Sequence, residues 1–200
     1  MSVTHGSESS SRGRHIPTHD LPPLVTTHEV AGTTESTSRR ATATRIVLGA
    51  TRIVVGWTFL WAFIDKVFGL GYATPSGKGW LDGGSPTKGY LSGAEGPFKG
   101  IYADLAGTTF ANWAFMLGLL GIGLAMILGI GMRIAGIAGA LLYVLMWTVV
   151  MPPETNPIVD DHILGALIVG ALALLGAGRY LGLGTWWSST PLVKRLPWLA

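Results

Sequence analysis

From Phe110 to Met151 the only charged side chain is Arg133. A run that long without charge has no place on the surface of a water-soluble domain. About 20 apolar residues span the hydrocarbon core of a bilayer, so the stretch reads as two membrane helices joined at Gly129-Ile-Gly-Met-Arg133. Composition agrees: charged residues make up 12% of the chain, against about 25% in a typical soluble domain. The deficit is local, because nearly all the apolar residues follow Arg45.

The same reasoning predicts four spans, at about 45–70, 110–130, 133–151 and 161–178. The fold class is an all-α integral membrane protein, a four-transmembrane-helix bundle with a disordered N-terminal tail. That tail, 1–44, is rich in Ser, Thr, His and Pro and has no apolar run, so it cannot offset its chain entropy by burial. Its four histidines, His5, His15, His19 and His28, are irregularly spaced and read as solvated side chains, the alternative being a metal-binding tail. The apolar region starts too late and runs too long for a signal peptide. Residues 71–109 form a long Gly-rich outer loop with Trp80, Tyr90, Phe98 and Tyr102 spread along it. Such spacing suggests a segment packed on the membrane face, with a short helix near Ile101–Leu105. The end of the chain, 185–200, with Trp186, Trp187, Lys194, Arg195 and Trp198, reads as an interfacial segment.

Helical phase assigns the faces. Trp57, Trp61 and Asp65 share one side of the first helix, and Arg52, Gly56, Phe59, Phe63 and Lys66 another. Arg52 is expected to snorkel to the near interface, the alternative being the bundle interior. Gly121, Ala125 and Gly129 recur every four residues, and Ala135, Gly136, Gly139 and Ala140 follow. Small residues of this kind let membrane helices approach closely. Ala166, Gly170 and Ala173 give the fourth helix a small face with His162 at its head, which turns His162 into the bundle.

Four spans put both termini on one side. That side carries Arg12, Arg14, Arg39, Arg40, Arg45, Arg133, Arg179, Lys194 and Arg195. The other carries Lys78, Lys88 and Lys99. The positive-inside rule makes the termini cytoplasmic in a cell membrane. The net charge of +3 is scattered at the ends of apolar segments, with no basic stripe, so nucleic acid is not an expected partner. With no cysteine, the chain carries no disulfide, thiolate metal site, iron–sulfur cluster or persulfide. No pair of histidines lies in the membrane region, which excludes bis-histidine haem, and no metal is expected.

The connector Met151-Pro-Pro-Glu-Thr-Asn-Pro-Ile-Val-Asp-Asp-His162 then shares the outer face with Asp65 and Lys66. Charged groups at membrane depth are functional candidates by default. A carboxylate beside an imidazole can move a proton or hydrogen-bond a quinone. Asp65, Asp161 and His162 are the candidate catalytic groups; Trp61, Lys66, Asn156 and Asp160 are the candidate cofactor-binding ones. Asp65 and His162 are expected at similar depth, within reach of one ligand, with an aromatic ring entering beside Trp57 and Trp61. The structural alternative stands beside this one: Asp160 and Asp161 suit the start of the fourth helix, and Asp65 and Lys66 suit interfacial anchors.

Four stretches carry a family resemblance. They are Arg52-Ile-Val-Val-Gly-Trp-Thr-Phe-Leu-Trp-Ala-Phe-Ile-Asp-Lys66, Gly121 to Arg133, Asn156-Pro-Ile-Val-Asp-Asp-His162, and Gly176-Ala-Gly-Arg-Tyr-Leu-Gly-Leu-Gly184. Together, over about residues 45–184, they resemble the DoxX/DoxD family of small four-helix membrane proteins. The DoxD branch is named for the large subunit of thiosulfate:quinone oxidoreductase. The resemblance implies a membrane subunit that passes electrons to menaquinone or ubiquinone, with a second protein subunit or respiratory complex as partner. Asp65, Lys66, Asn156, Asp160 and His162 match its motif positions. With no cysteine here, oxidation of thiosulfate would fall to a partner subunit or to direct substrate-to-quinone chemistry. A non-catalytic subunit that docks redox partners is the second reading; a solute carrier, which would favour an internal repeat, is the third.

Overall fold

A computed structural model describes residues 27–153 and 156–199, with side chains from residue 37 onward. The expectations for residues 1–26, for the side chain of His28 and for Glu154 lie outside the described residues. The chain divides into two units, Met1–Arg40 and Ala41–Ala200. Every regular element among the described residues is helical.

Helix α1 runs Thr27–Phe68, so residues 27–44 are helical and not the disordered stretch expected. Between Gly32 and Gly49 the sequence has neither proline nor glycine. Extending an existing helix costs far less than nucleating one, so the apolar span carries the polar residues before it. After α1 come two short helices, α2 (Lys88–Ser92) and α3 (Lys99–Leu105). The long helices α4 (Thr109–Leu128) and α5 (Met132–Val149) follow, then α6 (Asp161–Leu174). The chain closes with α7 (Gly184–Ser189) and α8 (Pro191–Arg195). Among the described residues three helices are long and apolar enough to cross a membrane: Thr37–Phe68, Thr109–Leu128 and Met132–Val149. Helix α6 has 14 residues, about 21 Å at 1.5 Å per residue, short of the roughly 30 Å hydrocarbon core. It stops early because Gly176 takes a left-handed turn, φ +62°, into a 3-10 segment at Ala177–Arg179.

The helix ends are capped by chemistry the sequence supplies. The Thr108 hydroxyl accepts the Ala111 N–H at the start of α4. Gly129, φ +75°, ends it by donating its N–H to the Ala125 carbonyl. The Asp160 carboxylate accepts the N–H groups of His162 and Ile163 at the start of α6.

The core gathers Phe59, Met116, Leu119, Ile122, Met126, Val169 and Leu172. Close helix contacts depend on glycine at particular points. A Cβ on Gly136 would meet the Ala173 Cβ at 2.5 Å, and one on Gly123 would meet the Leu60 backbone nitrogen at 2.8 Å. In α4 the packing glycine is therefore Gly123, on the face of Met116, Leu119 and Met126, while Gly121 looks into open space. Of the repeat Gly121, Ala125 and Gly129, Gly129 makes a close contact, its Cβ position lying 2.6 Å from the Gly178 carbonyl, and Ala125 lies against the core; Gly121 does not pack. In α6 the close contact is Gly165 under the Tyr143 ring, and Gly170 faces open space. Large apolar side chains line the outside of the helices, among them Ile137, Leu141, Leu167 and Leu174. Lipid would satisfy such a surface and water would not.

Within residues 41–200 the helices define two ends. The connector end holds the C-termini of α1 and α5, the N-termini of α4 and α6, and the folded loop 69–108. The arginine end holds the α4–α5 turn, the segment after α6, and α7 and α8.

Candidate functional site

Arg52 is buried completely, at 0% exposure. It does not snorkel. One guanidinium nitrogen donates to the Met126 carbonyl and, at 2.9 Å, to that of Ile127. The other donates to Tyr180 at 3.2 Å and Leu181 at 3.0 Å. The last carbonyls of a helix lack intrahelical donors and carry the negative end of its dipole. A guanidinium, with five donors in a fixed fork, satisfies them where a bare buried charge would be prohibitive. Only Nε lacks a partner among the described residues. Arg52 thus ties α1 to the end of α4 and to the Gly-Arg-Tyr-Leu-Gly segment, and its role is structural.

Asp65 is also buried, at 1% exposure. Its Oδ2 accepts the Thr74 N–H at 2.7 Å and its Oδ1 the Tyr72 N–H at 3.4 Å. The Tyr72 ring stands edge-on to Trp61 at 5.2 Å, and Trp61 leans on Trp57 at 5.9 Å. The Trp57–Trp61–Asp65 face therefore folds the start of the loop back onto α1.

Asp160 and His162 form the second polar cluster. His162 Nδ1 and Asp160 Oδ2 lie 2.6 Å apart, with side-chain exposures of 22% and 14%. The imidazole stands edge-on to Tyr143 at 6.3 Å, consistent with a histidine facing the bundle. Burial pushes the Asp160 carboxyl up. The His162 hydrogen bond, the Ile163 and His162 backbone N–H groups and the imidazole charge outweigh it and hold the carboxyl below its ordinary range. Asp161 is exposed. Asn156 accepts the N–H groups of Ile158 and Val159, both at 3.0 Å, and turns the connector. Among the described residues no hydrogen bond, ion pair or ring contact joins Asp65 to His162, and neither lines any cavity described below. Each carboxylate of the two clusters orders its own turn: Asp65 the start of the loop after α1, Asp160 the start of α6.

Lys66 is placed differently. Its ammonium sits 5.9 Å from the Phe115 ring centroid, and no ion pair among the described residues holds it. It lines an apolar cavity of about 320 Å³ walled by α4, α5 and the loop helices, with Leu91, Phe110, Phe115, Leu142 and Val149 among its residues. The other polar groups there are Thr87, Tyr90 and Tyr102. The Tyr90 hydroxyl donates to the Met146 carbonyl at 3.1 Å. The Tyr102 hydroxyl donates to the Leu145 carbonyl at 3.3 Å and also pairs with Thr148. Burial first, then the charges of Asp160 and Tyr102, pushes the Tyr90 hydroxyl up to about 12, so it stays a protonated donor at neutral pH. Lys66 also lines a second, more open cavity of about 740 Å³, together with Lys78 and Lys88 and with no carboxylate in its wall.

Asn112 closes this roof. Its side-chain oxygen accepts from Ser85 at 2.9 Å and Thr87 at 2.7 Å, and its nitrogen donates to the Gly107 carbonyl at 3.3 Å. Trp80 stands on Trp113 at 4.8 Å. The loop is thus packed on the bundle, as its aromatics suggested, with short helices at Lys88–Ser92 and Lys99–Leu105. Tyr90, Tyr102, Asn112 and Phe115 were not singled out as site residues from sequence. The available signal was an amide, Asn112, one turn inside an otherwise apolar helix.

Fold and cavities together define an all-helical protein with three helices of membrane-spanning length and a roofed apolar cavity at one end. No protein-family profile, curated protein or solved structure matches the chain.

Proposed function

We propose that the chain is a cell-membrane subunit of a quinone-linked oxidoreductase of DoxX/DoxD type, binding the quinone head group in the apolar cavity beside Lys66. The observation that carries this is the placement of Lys66: an ammonium without an ion-pair partner among the described residues, opening onto both cavities. Ligand sites are mostly apolar clefts with a few placed polar groups. The walls fit a flat apolar ring. Lys66 can donate to a quinone oxygen. The Tyr90 hydroxyl already donates to the Met146 carbonyl of α5, which leaves its lone pairs to accept from a quinol. When bound, the quinone supplies two-electron redox chemistry; the chain binds it, orients it and excludes water. The cavity bearing Lys66, Lys78 and Lys88 suits a small oxyanion such as thiosulfate, whose electrons reach the quinone through a partner or directly. Both termini are then cytoplasmic and α6 is a fourth, shorter membrane helix.

In membranes, thiosulfate should reduce quinone when the protein is present and not when it is deleted. Unchanged thiosulfate-dependent reduction after deletion sinks the reading. A second reading, a non-catalytic subunit that docks redox partners, is favoured by the structural use of Asp65 and Asp160. It predicts co-purification with a redox complex and no bound quinone.

A further inference from the structure

At the arginine end a groove of about 800 Å³ opens between α5, α6 and α7. Its floor is made of small residues, chiefly Gly136, Ala140, Gly170 and Ala173. Arg133, at the start of α5, and Arg179, just after α6, stand at its mouth beside Trp187 and Ser188. Both arginines are exposed. Arg133 donates to the Pro197 carbonyl at 3.2 Å, which leaves most of its donors open. No side-chain hydrogen bond or ion pair among the described residues holds Arg179. Among the described residues no carboxylate lines the groove. From Ala106 to the end of the chain the only acids are Glu154, Asp160 and Asp161, all in the connector.

We propose that this groove holds an anionic phospholipid, its phosphate between Arg133 and Arg179 and an acyl chain along the small-residue floor. Three features select this occupant. Two guanidinium groups without a lining acid complement a net negative headgroup, and basic pockets between membrane helices take such lipids. The apolar floor runs from Arg133 to Ala140, about 10 Å along the helix, and a free phosphate would leave it empty. Trp187 at the mouth is a residue type that favours the headgroup level. Nothing here depends on the redox reading.

The test uses the full chain in detergent, titrated with phosphatidylglycerol, phosphatidylcholine or inorganic phosphate and read by native mass spectrometry. Phosphatidylglycerol should be retained over phosphatidylcholine. Arg133→Gln with Arg179→Gln should weaken that retention about tenfold or more, since each basic residue adds its own attraction to an anionic headgroup. Gly170→Leu should weaken both lipids by filling the floor, since no atom lies within 4 Å of a Cβ placed there. Equal retention of the two lipids overturns the proposal. So does undiminished retention in both variants, or displacement of the lipid by phosphate at equal concentration.

Discussion

Arg52 and Ile127, 75 residues apart, are joined by a guanidinium-to-carbonyl hydrogen bond of 2.9 Å. The same side chain holds Met126, Tyr180 and Leu181. Around it glycine leaves the room: a Cβ on Gly178 would meet the Gly129 carbonyl at 2.5 Å, and one on Gly182 would meet an Arg52 nitrogen at 2.7 Å. Replacing Arg52 by Leu should cost about 3 kcal/mol or more, because several buried carbonyls lose their donor. Arg52→Lys should recover only part of it, since an ammonium cannot reproduce the fork. Thermal unfolding in detergent measures both; an unchanged midpoint for Arg52→Leu would refute the clamp.

The two glycines of α4 should part company. Gly123→Ala drives a methyl into the Leu60 backbone at 2.8 Å and should cost about 1–3 kcal/mol through overpacking. Gly121→Ala meets nothing and should be neutral or gain up to about 1 kcal/mol in helix propensity. Unfolding midpoints of the two variants, measured side by side, check the phase of the helix.

These positions show what was legible in the sequence and what was not. Helix existence was legible because charge is nearly absent from 110 to 151, and small residues at Gly136 and Ala173 marked a real contact. Which small residue packs was not, because Gly121 and Gly123 differ only in which neighbour faces them. Arg52 was misread for a similar reason: its length permits snorkelling, and the carbonyls that capture it come from residues 75 and 128 positions away. Asp65 was read by its charge, yet it is held by two backbone N–H groups of the next loop. Lys66 was a candidate from its charge, but the tyrosines that line a cavity with it, Tyr90 and Tyr102, come from a loop whose fold no periodicity announces.

Asp160 should make stability pH-dependent. Its carboxyl is held below the ordinary range, so its contribution is complete above the unfolded carboxylate range. It is lost as pH falls through the lower, folded value. Asp160→Asn keeps a cap but removes the charge. Its unfolding midpoint should fall less between neutral and acid pH than that of the wild type, and Asp160→Ala should cost about 1 kcal/mol at neutral pH. A wild-type midpoint indifferent to acid, or identical slopes in the Asn variant, would contradict this.

The roof of the apolar cavity should loosen when its tyrosines lose their hydroxyls. Tyr90→Phe and Tyr102→Phe each remove a bond to an α5 carbonyl, worth about 0.5–1.5 kcal/mol. Amide hydrogen exchange across residues 88–105 should accelerate in the double variant while α4 and α6 stay unchanged. Uniform acceleration across all helices would mean that the hydroxyls support the whole bundle and not the roof.

A quinone should occupy the cavity beside Lys66. Extraction of the purified full chain, followed by mass spectrometry, reads it directly, with Lys66→Met and Ala114→Trp beside the wild type. Ala114 lines the cavity, so a tryptophan there fills it. The wild type should carry a quinone and each variant about tenfold less, at unchanged unfolding midpoints, the loss matching about 1.4 kcal/mol. A wild type with no quinone, or variants that retain it in full, would contradict this.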